Sequence, residues 1–177
     1  MQITLIRHLP TEWNKNHILQ GRRDIEICPL STEDRKNINN NLKLLKELSP
    51  FAFILASSLK RTHQTALQYG FLSETESLLD ELDFGPFEGH SKEELIATYK
   101  NTWMESPRKL VLGESLKNLE NRILLFLDKY ERASNILVFG HGSWIRALVS
   151  FCHDGHINNM NKIEIQNNQL ITLSLYK

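Results

Sequence analysis

Short apolar runs alternate with amphipathic stretches along the chain, and the two periods predict its elements. Residues 2–6 carry Ile3, Leu5 and Ile6 in a run too short for a helix, which predicts a strand ending at Arg7 and His8. Ser31 followed by Thr32, Glu33 and Asp34 has the form of a capped helix start, and Ile38, Leu42, Leu45 and Leu48 then share one face up to Pro50. Residues 51–56 predict a second strand, and 59–69 a helix stopped by Gly70. A short strand at 77–79 is expected to lead into the loop ELDFGPFEG, followed by a helix over 91–104. Leu116, Leu119, Ile123, Leu127 and Tyr130 line a further helix, residues 136–139 form a strand, and a helix follows GHGS over about 144–151. The terminal IEIQNNQLITLSLY reads as two strands around an Asn-Asn turn. The order β, α, β, α, β, α predicts an α/β fold, a three-layer α/β/α sandwich on a mostly parallel sheet, with the hairpin as an antiparallel edge.

Composition adds bounds to this picture. The chain has 177 residues, read as one domain over 1–177, with 41% hydrophobic and 24% charged residues. Its formal net charge is zero, so bulk charge favours neither nucleic acid nor an acidic membrane as partner. Cys28 and Cys152 lie far apart and are expected to be free thiols. The first strand leaves no room for a leader, and no apolar run approaches the roughly 20 residues that span a bilayer. A cytoplasmic protein is expected.

Candidate chemistry gathers at strand ends. In open α/β sheets ligands sit beyond the carboxyl ends of the strands. The first strand ends in Arg7-His8, the second in Ser57-Ser58 with Arg61 just inside the next helix, and ILVFG in His141-Gly142. Each residue alone is an ordinary surface group. Together they offer two guanidiniums, two imidazoles and two helix amino ends, the donor set of a phosphoryl site. Cys152, His153, Asp154 and His156 include metal-ligand types, but an HxxH in a loop lacks a full set, so no metal and no cofactor is expected.

These residues resemble the histidine phosphatase superfamily, the phosphoglycerate mutase-like proteins. The family's R-H-G-x-T-x-W-N appears as Arg7-His8-Leu9-Pro10-Thr11-Glu12-Trp13-Asn14, and its H-G-x-x-I-R-x-L as His141 through Leu148. Its serine-pair motif matches Ser57 through Ala66 with one residue fewer after the serines, and its L-x-E-x-x-x-G-x-[WF]-E-G matches Leu79 through Gly89. Leu9 replaces the usual glycine and is expected to narrow the pocket mouth. The resemblance implies His8 as nucleophile, with Arg7, Arg61 and a protonated His141 holding the phosphoryl oxygens. Glu81 is the implied general acid, with Asp83 and Glu88 as neighbouring alternatives. Asn14 is a further phosphate contact, and Gln20-Gly21, Glu114-Ser115 and Gly142 match segments near the pocket. Arg146 is expected to support the site from behind the residues that touch phosphate or to make a structural ion pair, and Trp13 and Trp144 to serve packing. The implied activity is metal-independent hydrolysis of a small-molecule phosphate ester by a monomer or homodimer. The Glu81 loop also resembles that of α-ribazole phosphatases. A phosphoglycerate mutase and a non-catalytic phosphate-binding module are the alternatives.

Overall fold

The computed structural model describes residues 1–175. Five strands form one sheet: β1 (Gln2–Arg7), β2 (Phe53–Ala56), β3 (Glu74–Thr75), β4 (Asn135–Gly140) and β5 (Leu170–Ser174), in the order β3-β2-β4-β1-β5. Neighbours are parallel except β5, which runs antiparallel on the free edge of β1. Strands covered on both faces read as continuous apolar runs, which is why β4 shows no polar alternation and why Thr4 of β1 is buried.

Alternate residues of each strand feed two cores. Ile3, Leu5, Leu55, Ile136 and Val138 face one layer, where they meet Leu116, Leu119, Ile123 and Phe126 of α5 (Leu116–Lys129) and Trp144 and Leu148 of α6 (Gly142–Asp154). Ile6, Ala56, Leu137 and Phe139 face the other, against Ile38 and Leu45 of α2 (Thr32–Leu48) and Ala66 of α3 (Lys60–Gln68). Each such side chain contributes about 1.5–3 kcal/mol when fully buried, so the two layers clamp the sheet. The three-layer architecture is as expected from the pattern. Among the described residues no helix is long and apolar enough to cross a membrane.

Helix starts follow the sequence closely. Ser31 Oγ accepts the Asp34 N–H while Asp34 returns a bond to the Ser31 N–H, the reciprocal cap anticipated from its spacing. Thr11 and Asn14 form the same box on the short α1 (Glu12–Lys15). The helix expected over 91–104 is α4 (Lys92–Glu105), broken at Lys100, whose φ of 46° is left-handed. Beyond the break Trp103 is buried.

Three expectations need correction. Ser77–Leu79 is a 3-10 turn rather than a strand, because the Glu76 carboxylate accepts the Leu78 N–H and bends the chain just after β3. The C-terminal hairpin is half formed. Its second arm is β5, but residues 163–166 make no ladder, since the Ile165 carbonyl is taken by Arg7 Nη1 at 2.6 Å. Tyr176, placed at the end of that arm, lies outside the described residues. Leu9 does not narrow a pocket. It is fully buried in the α2–α3 layer, and its φ is not left-handed, so the backbone has no need of glycine there.

Leu9→Ala should therefore cost about 2–5 kcal/mol of stability, as for other large-to-small core changes. Urea denaturation tests this, and a loss near zero would place Leu9 outside the core.

Candidate active site

The parallel pairing of β1 and β4 brings the two histidines together. Arg7 lies opposite Gly140, and the His8 N–H donates to the Gly140 carbonyl at 2.9 Å. The imidazoles then meet edge to face with ring centres 5.3 Å apart. Between the strand ends and α4 opens a cavity of about 370 Å³, whose lining includes Arg7, His8, Asn14, Arg61 and Glu81. Gln20, Gly21 and Gly142 also line it, whereas His141 is fully buried behind His8 and is not part of the lining.

His8 presents an unprotonated ring nitrogen. Its Nδ1 lies 2.7 Å from the Leu9 carbonyl, which can only accept, so the proton resides on Nδ1 and Nε2 keeps its lone pair. Burial first, then Arg61 and Arg7, hold its pKa well below the usual histidine value of 6.5. The Leu9 backbone is fixed in turn, its N–H donating to Thr65 Oγ1.

His141 differs from expectation. Burial, Arg61, His8 and Arg7 also push its pKa well below 6.5, so at neutral pH it is uncharged. The reason is that two cations and a second imidazole share a space shut off from water. Charge is not needed for donation. Ser57 Oγ accepts from the Leu59 N–H and lies 2.7 Å from His141 Nε2 and 3.0 Å from Thr62 Oγ1, so it serves either ring tautomer. His141 Nδ1 is a buried atom with no partner among the described residues, and the tautomer with its proton there leaves a donor for a ligand.

The arginines follow the same logic. Arg61 Nη1 and Nη2 donate to the Arg23 and Gly21 carbonyls, and Arg7 Nη1 to Ile165, while each Nε is buried without a partner. Burial lowers both pKa values to about 10, which leaves both charged at neutral pH. Gly142 begins α6 against Arg7, since a Cβ there would stand 3.2 Å from Arg7 Nε. Gly21 has a φ of 52° and no room beside Glu88.

Glu81 is bound at the start of α6. Its Oε1 accepts the Leu82 and Trp144 N–H groups and its Oε2 the Ser143 N–H, at 2.9–3.2 Å. Helix-start donors of this kind favour an anion. Asp83 and Glu88 do not line the cavity. Asp83 Oδ1 accepts the Gly85 N–H, and Glu88 accepts from Arg22 N–H and pairs with Arg23.

Other expectations are reassigned. Glu114 is buried between Arg122 and Arg22, and Ser115 caps α5, so this pair supports the fold instead of facing substrate. Arg146 makes no structural ion pair. It lines the cavity, and its one hydrogen bond is to Ser143 Oγ. Trp144 is core, as expected. Sequence reasoning missed Lys92, Trp103 and Glu164 on the cavity wall, and it missed Asn167. Asn167 Nδ2 donates to the His8 carbonyl, and the Asn168 N–H to that of Arg7, so the supposed hairpin turn braces the nucleophile segment. Among the described residues no cluster of three metal-ligating side chains occurs.

The histidine phosphatase superfamily (branch 1) model matches residues 3–177. The chain belongs to this family. Phosphoserine phosphatase 1 of Hydrogenobacter thermophilus is 29% identical over 84% of this chain and 74% of that protein. A 2,3-bisphosphoglycerate-dependent phosphoglycerate mutase of Buchnera aphidicola is 26% identical over 93% of this chain and 88% of its own length. The solved α-ribazole phosphatase of Shigella flexneri superposes with a TM-score of 0.78 at 21% identity, covering 100% of this chain and 92% of that one. At that identity the likeness concerns the fold.

The two suppressed histidines make stability depend on pH. Below about 6.5 the unfolded chain binds a proton on each that the folded chain refuses. Stability should therefore fall with falling pH, by about 1.4 kcal/mol per pH unit for each histidine until its folded pKa is reached. His8→Gln should remove about half of the pair's contribution, read from urea midpoints between about pH 7.5 and 5.5. An unaltered slope would mean that His8 is not held uncharged by the fold.

Proposed function

We propose that the protein is a phosphomonoesterase acting on a small phosphorylated metabolite through a phosphohistidine on His8. The observation that carries this reading is the free Nε2 of a neutral His8 on the wall of a cavity shared with two charged arginines, Arg61 fully buried and Arg7 half-buried. The phosphatases among its relatives support it.

In the first displacement His8 Nε2 bonds to phosphorus as the bond to the ester oxygen breaks. Glu81 takes up a proton when the phosphate dianion enters beside it and gives that proton to the leaving oxygen. Arg7, Arg61, His141 Nδ1–H and the Asn14 amide supply donors for the three phosphoryl oxygens, whose charge is greatest in the transition state. In the second displacement water attacks phosphorus, Glu81 now takes the proton from it, and the P–N bond returns its electrons to His8. Arginines supply the charge that other phosphoryl-transfer sites draw from metal ions, so no metal is needed. One metabolite in view is α-ribazole 5′-phosphate, on the likeness of residues 79–89 to the corresponding phosphatase loop.

A chromogenic aryl phosphate should be hydrolysed at an undiminished rate in excess EDTA. His8→Ala should lower kcat by a factor on the order of 10⁴ or more. Release of phosphate unaffected by this substitution would end the proposal. Glu81→Gln should slow alkyl esters by roughly 10²–10⁴ and aryl esters less, because an aryloxide leaves with less need of a proton; equal slowing would remove Glu81 as the acid. Interconversion of phosphoglycerates with a bisphosphorylated primer, in place of phosphate release, would favour the mutase reading that the Buchnera relative represents.

A further inference from the structure

Glu81 is held at two ends from a single helix. Its carboxylate rests on the Ser143 and Trp144 N–H groups at the start of α6. Its backbone is approached from the other side by Arg122, in the second turn of α5. Arg122 Nη1 donates to the Leu78 carbonyl at 2.8 Å and at 2.9 Å to that of Asp80, the residue directly before Glu81. One turn further along α5, Phe126 packs edge-on against Trp144, with ring centres 5.3 Å apart and planes at 90°. One side of α5 therefore sets both the backbone of Glu81 and the helix start that takes its carboxylate.

Arg122 is fixed in turn by Glu114. Its Nε and Nη2 donate to the two Glu114 oxygens at 2.7 and 2.9 Å, and the side chains are only 14% and 8% exposed. Glu114 Oε2 lies 3.4 Å from the Asp83 backbone nitrogen, and the Gly113 and Glu114 N–H groups donate to the Asp83 carbonyl at 3.1 Å. The chain is thus gripped at Asp80 and at Asp83, with Glu81 and the fully buried Leu82 between them. A buried ion pair adds little net stability, because desolvating both charges offsets their attraction. The geometry of this one is more telling. Beyond each other, its side chains contact only the backbone of residues 78–83 and Arg22, whose Nε itself lies 3.4 Å from the Glu81 carbonyl.

We propose that the Arg122–Glu114 pair positions the general acid, holding the Glu81 carboxyl within reach of the leaving oxygen without touching substrate. This rests on the phosphatase reading, with Glu81 as its acid, and adds two positioning residues to it. Neither residue lines the cavity. Proton transfer needs the two oxygens about 2.6–3.2 Å apart, and a misplacement of about 1 Å costs on the order of a hundredfold in rate. Loosening the pair therefore affects the step in which Glu81 gives its proton. Arg7, His8 and Arg61 stand on β1, just past it and on α3, so their hold on the phosphoryl group is independent of the pair.

Arg122→Lys keeps the charge and loses the fork. In kcat/KM, which extends to departure of the leaving group, it should slow an alkyl phosphate by roughly tenfold or more and the chromogenic aryl phosphate by about threefold or less. Arg122→Met should go further in the same direction. The inhibition constant of inorganic phosphate should be unaltered, a result that general loosening of the site would not give. In a Glu81→Gln background Arg122→Lys should add no further discrimination between the esters, since the group it positions is gone. Equal slowing of both esters, slowing of neither, or discrimination that multiplies with that of Glu81→Gln overturns the proposal. If Arg122→Lys does not fold, Glu114→Gln, which keeps the shape of the pair, is read by the same measurements. The two readings fail separately. Equal slowing of both esters by Glu81→Gln itself removes the acid; discrimination by Glu81→Gln but not by the pair variants removes only the positioning role.

Discussion

One hydrogen bond organises the site: the His8 N–H on the Gly140 carbonyl, the last rung between two parallel strands. Parallel register puts both chain exits at the same end of the sheet, so a side chain just past β1 meets one just past β4. With the rings 5.3 Å apart, any slip of the register by a residue would turn His8 into the core layer and Leu9 toward the cavity. The two apolar layers prevent that slip, because Ile3 and Leu5 belong to one and Ile6 and Leu9 to the other. Packing far from any substrate thus fixes which atom attacks.

The second constraint is electrostatic. Two arginines and two imidazoles occupy a space with little water, and the mutual repulsion is relieved by keeping both imidazoles neutral. Neutrality serves each differently. His8 needs a lone pair at Nε2, which the Leu9 carbonyl secures by holding the proton at Nδ1. His141 can donate from Nδ1 in the tautomer whose Nε2 accepts from the Ser57 hydroxyl. In the proposed reaction the two tasks are met by one charge state, whereas the sequence-based reading assigned the rings different charge states. The arrangement lowers stability in acid, which is the thermodynamic counterpart of an active nucleophile.

How much of this was legible in the sequence varies with the range of the signal. Arg7, His8, Arg61 and His141 were brought together because strand-end position and motif agree, and Glu81 by the motif alone; both signals survive in one dimension. Leu9 was misplaced because a motif position says nothing of which face of the strand its side chain takes. Asn167 and Asn168 were read as a hairpin turn because the same tendency of asparagine toward left-handed backbone, realised at Asn168 with φ 63°, serves a clamp equally well. Trp103 and Lys92 were missed since nothing local marks which side of α4 overhangs the cavity. Arg146 has no ion pair among the described residues, and its place on the cavity wall is a tertiary fact.

Asn14 shows how neutral groups complete what the charged ones begin. Its Oδ1 accepts from the Thr11 N–H and Thr11 Oγ1, and Asn167 Nδ2 approaches it at 3.4 Å. An amide whose oxygen is so engaged presents its nitrogen, and its two protons, to the cavity that Asn14 lines. Aspartate would satisfy the same three donors equally well. It would also set an acceptor and a negative charge against the phosphoryl oxygens. The helix cap and the brace from the C-terminal segment are thus indifferent to the choice, and only binding of an anion requires the amide. The helix-capping network orients Asn14, and its chemistry is that of the site.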